Sequence, residues 1–332
     1  MRNTLKTSLR GLLALAFAAL CAAGAAAQGR DARVISARAG GVNFRAGQVE
    51  YNREGGAAWR ALSDEDELQS GDAVRTGAGG RVELLLNPGS YLRAGEGAQF
   101  ELADASLEDL RLKLVRGSAV IEATGYGETD LSILVEMPQA RVRIVRSGIY
   151  RFNVLPEGVA EVGVQKGRIA VGAGELLVKG GHMVRVGGSG QPEVAEAKFR
   201  KEDRDALDLW SRERGKELAK MNEKVSSRQV AAAFDRFDSP FFPRLYGVWY
   251  FNPRARCYTF LPFYSSWGSP YGHSYWSWLF IPDGYRCNSC AGGRGPRAHA
   301  GGGSRGVRPP APRGTPPGGV TDRPRPVRSQ PA

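Results

Sequence analysis

The chain has 332 residues, 42% of them hydrophobic, and a formal net charge of +12. Eight arginines and one acid, Asp322, fall in residues 291–332, so seven of those positive charges belong to one end and nucleic acid is not an expected partner of the rest. Three histidines and the absence of HExxH argue against histidine-based metal chemistry.

The N-terminus predicts export. Arg2, Lys6 and Arg10 form a positive region, and Gly11 to Ala23 is an apolar run shorter than the ~20 residues that span a bilayer. Ala25-Ala26-Ala27 supplies the small residues of a cleavage site, so residues 1–27 read as a signal peptide. Ala18 and Leu20 stand where a lipobox ahead of Cys21 would have Leu and a small residue, which is a poor match. No other run approaches membrane-helix length, so no transmembrane segment is expected in the mature chain, which is placed in the periplasm or outer envelope, or secreted.

Residues 32–192 read as one mainly β region, an antiparallel sandwich or roll of many short strands. Arg81-Val82-Glu83-Leu84, Arg111-Leu112-Lys113-Leu114 and Arg141-Val142-Arg143-Ile144 alternate. Period two puts the apolar set on the core face and the charged set in water. Asn87-Pro88-Gly89 predicts a type II turn, with Pro presetting φ and Gly supplying a positive φ. Leu114 to Val120 weakly echoes Val164 to Val171, which is read as two similar tight turns about Gly117 and Gly167.

Within this region, Gly71-Asp72, Val74-Arg75-Thr76-Gly77, Gly89-Ser90 and Leu92-Arg93 follow the order "GD.VRTG" then "GS.LR.G". That stretch, Leu68 to Phe100, resembles the core of the FecR domain, an extracytoplasmic all-β module. Met137-Pro138, Ala140 to Val145, Ile149 to Val154, Val159 to Gly167 and Glu175 to Val186 resemble its second half. There Ser147-Gly148 departs from the family's Gly-Thr order. The resemblance implies an envelope address and a binding module. FecR itself relays a signal through a membrane helix to a cytoplasmic sigma factor. With only a signal peptide ahead of the β region, that direct relay is not expected to carry over.

Residues 194–236 predict a helical segment, with Phe199, Ala206, Trp210, Leu218 and Met221 as its apolar stripe and Glu202 to Asp205 on an exposed face. Residues 237–290 form an aromatic and cysteine-rich segment. The window 234–285 holds 19 of the chain's 30 aromatic residues, Trp249, Trp267, Trp276 and Trp278 among them. Leu245 to Pro253 resembles repeats found behind FecR-like regions in some exported proteins. Packing is the favoured expectation for these rings, with a sugar-stacking surface as the alternative. Residues 291–332 are Gly, Pro and Arg, predict a disordered tail, and suit an anionic surface.

Chemical signatures are poor. Cys257, Cys287 and Cys290 remain after cleavage, and an exported chain favours disulfides over zinc. Either Cys257 pairs with one of the other two, or the CxxC closes on itself. His182, His273 and His299 are scattered. Gly302 to Gly306 fits GxSxG by chance inside the tail. Asp64 to Glu67 reads as a solvated loop rather than a calcium site. Glu122, Glu128, Asp130 and Glu136 flank strands with nothing to pair them. The expectation is a non-enzymatic envelope binding or scaffold protein, with no catalytic residue, cofactor or metal. Envelope proteins or wall polymer are its partners. A wall-acting enzyme and a periplasmic regulator working through a separate membrane protein are the alternatives.

Overall fold

The computed structural model describes residues 35–125, 131, 133–156, 158–173, 175–187, 191–193, 198–226, 230, 246–263 and 267–275, all within the first of two units, Met1–Cys287. The strands are, in order, β1 Ile35–Ser36, β2 Val42–Ala46, β3 Val49–Asn52, β4 Arg60–Ala61, β5 Asp72–Thr76, β6 Arg81–Leu85, β7 Tyr91–Ala94, β8 Gln99–Asp104, β9 Leu110–Ala123 and β10 Ile133–Met137. There follow β11 Ala140–Ile144, β12 Gly148–Val154, β13 Ala160–Lys166, β14 Arg168–Val171, β15 Leu176–Lys179, β16 His182–Gly187 and β17 Gln191–Glu193. Helix α1, Ala206–Asn222, precedes β18 Gly247–Asn252 and β19 Cys257–Pro262.

Strand β9 organises the sandwich. Its first half pairs with β8 and with β10, the latter in parallel. Its second half pairs with β7 and β12. One sheet therefore runs β2-β6-β7-β9-β12-β13-β16-β17, and the other runs β4-β3-β5-β8-β9-β10-β11-β14-β15. Gly117 marks the crossing, with φ at +76°. A Cβ there would stand 2.6 Å from the Ala98 Cα, so the backbones approach too closely for any other residue. The expected tight turn at Gly117 is thus corrected: the strand is continuous and bends there. Gly167 does lie in a turn, between β13 and β14, with φ at +102°.

The inner faces share one core. Val82, Leu92, Ile121, Phe152 and Val162 from the first sheet meet Val74, Phe100, Leu112, Val135 and Val142 from the second. The mainly β expectation holds, with one parallel pairing among the otherwise antiparallel strands of the described residues. The turn at Asn87-Pro88-Gly89 also matches, since the Ser90 amide donates to the Asn87 carbonyl at 2.8 Å and Gly89 has φ +90°.

The outer faces differ. On the second sheet, Glu101, Lys113, Glu136 and Arg141 are register neighbours in alternating sign, lying in water as the alternation predicts. On the first sheet, the outward row Glu83–Arg93–Val120–Arg151 is buried along its length. The expectation that Glu83 faces solvent is overturned. Both faces of the central strands β6, β7, β9 and β12 are covered, so their alternation separates two buried sides.

The cover is α1 together with the sheet β1-β18-β19 and residues 267–275. The rings of Trp249, Phe260 and Tyr275 are buried, and Trp249 packs on Tyr91 with ring centroids 4.9 Å apart. The favoured reading of the aromatic segment, packing, describes these residues. Trp276 and Trp278 lie outside the described residues, as do Cys287, Cys290, residues 1–27, expected to be a signal peptide, and residues 291–332.

Candidate functional site

The most concentrated polar chemistry sits between the first sheet and its cover. Glu83 on β6, Arg93 on β7 and Glu122 on β9 come together through strand register. The Arg93 Nε donates to Glu83 at 2.7 Å, and its Nη1 donates to Glu122 at 2.8 Å and to the Ser211 Oγ at 3.0 Å. From α1, the Arg214 Nε donates to the other Glu83 oxygen at 3.1 Å. Ser269 donates to Glu122, and the Tyr271 hydroxyl donates to Ser211 at 2.7 Å. Glu83, Arg93 and Glu122 are thus shut off from water, while Arg214 also reaches the exposed Glu217.

Electrostatics follow from this geometry. Burial alone would lift the Glu83 pKa, but Arg214 and Arg93 outweigh it and hold the carboxyl below its ordinary value. Burial pushes the Tyr271 hydroxyl up to about 12 and raises Tyr91 well beyond its ordinary value. Both hydroxyls stay protonated at neutral pH, and that of Tyr271 serves as a donor to Ser211 rather than as a base.

A second cluster holds the start of α1. The Asp205 carboxylate caps the helix by accepting from the Leu207 and Asp208 amides at 2.9 and 3.0 Å. Asp208 in turn accepts from the Asp205 amide, which completes a capping box. Arg151 on β12 donates to Asp205 at 2.6 and 2.9 Å, and Gln165 donates to Asp208 at 2.7 Å. Burial raises the Asp208 pKa, whereas hydrogen bonding from Arg151 overcomes burial and lowers that of Asp205. A cavity of roughly 100 Å³ lies here, lined by Arg151, Glu161, Phe199 and Asp208 among others.

The buried stripe of α1 is Leu207, Asp208, Ser211, Arg214, Gly215, Leu218, Ala219 and Asn222. The apolar stripe expected from sequence is corrected: Phe199 precedes the helix, Ala206 is exposed, and Trp210 and Met221 flank the contact. A search for apolar residues at helical spacing misses a stripe that is half polar. Asp205 is exposed as expected, and it is also the cap and the Arg151 partner.

The aromatic hairpin is tied down by side chains that imitate a strand. The Asn43 amide donates to the Tyr258 carbonyl at 3.0 Å, and its oxygen accepts from the Tyr258 amide at 2.6 Å. Asn222 donates to the Phe260 carbonyl at 2.7 Å. Together they occupy much of the outer edge of β19. Among the described residues Cys257 is a buried thiol without a disulfide, 3.7 Å from the Met221 sulfur, with its pKa raised by burial; its expected partners Cys287 and Cys290 lie outside them.

The other sequence-derived residues are dispersed. Glu122 enters the buried cluster, and Glu136 pairs with Arg141 at 3.3 Å on the open face. Glu128 and Asp130 lie outside the described residues. Asp64 pairs with Arg45 at 3.4 Å and Glu65 with Arg256 at 3.5 Å, as surface ion pairs. His182 contacts the Gly180 carbonyl, His273 lies apart from it, and His299 is outside the described residues. Among the described residues, no group of three or more His, Cys, Asp or Glu is placed to hold a metal ion.

Residues 72–170 match the family model described as FecR protein. The chain carries a FecR-like domain. The matched span runs from β5 to β14 and includes Glu83, Arg93, Glu122 and Arg151, while α1 and the aromatic strands lie beyond it. The cover is therefore added to the FecR-like part from outside the matched region. No curated protein matches the chain. Among solved structures, two crystal structures of a candidate anti-sigma factor from Parabacteroides distasonis are similar, at 15% and 14% identity and a TM-score of 0.34. Each likeness covers 40% of this chain and 62% of that one.

Proposed function

We propose that the protein is a non-enzymatic binding or scaffold protein of the cell envelope, built on its FecR-like domain. The observation that carries this reading is how its buried ionisable groups are used. Glu83 and Glu122 each bind Arg93 and are fully buried. Two carboxylates arranged this way neutralise a guanidinium and have no open face to a substrate, which favours scaffold over wall-acting enzyme. The open outer face of the second sheet, with Lys113, Glu136 and Arg141 in water, is the surface offered to partners. The residue 1–27 segment supports export, and no helix of the described residues is long and apolar enough to cross a membrane. The FecR match also favours a second reading, a periplasmic regulator acting through a separate membrane protein.

Purified full chain is expected to be retained on envelope fractions. Lys113→Glu with Arg141→Glu should weaken that retention, while deletion of 291–332 should reduce binding to anionic vesicles without altering stability. Incubation with isolated cell walls should release no soluble fragments. Negligible retention of the intact chain, or wall fragments released by it, overturns the scaffold reading. A crosslinked membrane protein bearing a cytoplasmic sigma-binding segment would select the regulator reading instead.

A further inference from the structure

We propose that α1 and the aromatic hairpin form a releasable cap, which opens from the first sheet while the sandwich beneath stays folded. The inward side of this sheet is apolar, with Val82, Leu84, Leu92, Ile121, Phe152 and Val162. The outward side is mixed, with Glu83, Arg93, Glu122, Arg151, Asn153 and Glu161 standing beside Leu85, Tyr91, Val120 and Ile149. The two sides of the sheet thus differ: the inner one is apolar, and the outer one buries charged pairs among apolar contacts.

A face that stayed closed would hold together at least as well if it were apolar. Buried ion pairs recover their desolvation cost only with complete hydrogen bonding, and apolar replacements of equal volume are often as stable or more so. Here the bonding is incomplete. The Arg93 Nη2, the Asn87 Oδ1 and the Thr124 Oγ1 are buried beneath the cap, and none has a hydrogen-bond partner among the described residues. Each would gain one from water on opening. The charged rows would likewise be solvated, as the matching rows on the second sheet already are. The inner core has no such alternative and must remain closed.

The cap contributes the same kind of surface. Its helix presents Asp208, Ser211 and Arg214 at a spacing of three, mated to Gln165, Arg93 and Glu83. Gly215 allows the close fit, because a Cβ there would meet the Tyr271 ring at 3.0 Å and Glu122 at 3.3 Å. The polar part of this interface gains water contacts on opening, while its apolar part, with Leu218 and Trp249 in one cluster with Tyr91, favours the closed state. Subglobal opening of a unit of this kind is the ordinary behaviour of elements held by polar contacts over a more stable core.

Opening leaves the sheet's own hydrogen bonds intact, so hydrogen exchange separates the cap from the sandwich. In the full-length protein under native conditions, amides of α1 and β18–β19 are expected to exchange at least tenfold faster than those of β9 and β12. Their rates should respond less steeply to urea, since less surface is exposed. Replacing the buried set by Glu83→Leu, Arg93→Met, Glu122→Leu and Arg214→Leu should slow cap exchange toward the sandwich rate. Exchange of cap and sandwich amides in the wild-type chain at one rate, with one urea dependence, overturns the proposal. That wild-type measurement is decisive even if the four-residue variant does not fold.

Discussion

Arg93 sits between Glu83, Glu122 and Ser211 with no contact with water. Arg93→Ala would strand both carboxylates in the interior, at a cost of about 3–5 kcal/mol. Urea unfolding should show this loss, and Arg93→Ala combined with Glu122→Leu should be less destabilising than the sum of the two single changes. The motif Leu92-Arg93 identified the module from sequence, yet alternation placed Glu83 in solvent. Period two separates the two sides of a strand without saying which is wet. The clue lay in Ala119 to Ala123, where Val120 and Glu122 share an outward side whose neighbours are too apolar for an exposed strand. Nothing local could announce that Glu122 meets Ser269, because those residues are joined only by the fold.

At the level of elements, β19 depends on side chains for its outer partners. Asn43→Ala removes two hydrogen bonds to Tyr258 and is expected to cost about 1–3 kcal/mol, since it leaves buried backbone groups unpaired. Loss of Trp249 burial, read by fluorescence, should accompany it, whereas the far-ultraviolet signal of the sandwich should be kept. The existence of α1 was legible from composition and charge. Its contact side was not, because Asp208, Ser211 and Arg214 mimic a solvated stripe when their partners on another element are unknown. The strands of the second sheet, such as Arg141 to Ile144, were legible because their outer side does face water. The aromatic segment was legible as a packing unit through its density of rings, although the Asn43 clasp that seats it carries no sequence signature.

For the whole molecule, pH should act on the cover before the core. The carboxyl of Glu83 has a folded-state pKa below its ordinary value, through Arg214 and Arg93 working against burial. Its stabilising contribution is therefore complete above the ordinary glutamate value of about 4.3 and is lost as pH falls through the lower folded value. Asp205 acts in the same direction, and Asp208, raised by burial, opposes it. Acid titration should release the buried tryptophan signal below about pH 4, and Glu83→Gln should flatten that step. Strand β9 has a further consequence. Its ends are joined to strands as distant as β12, and both sheets are built on its single backbone. Neither sheet can be completed without committing the other, so the chain must search for both pairings before either is secured. Pairings of such long sequence separation close slowly, on the order of milliseconds to seconds. The bend at Gly117, besides shaping the sandwich, thereby binds the two halves of the FecR-like domain into one kinetic event, with no half-built domain left as a stable resting point on the way.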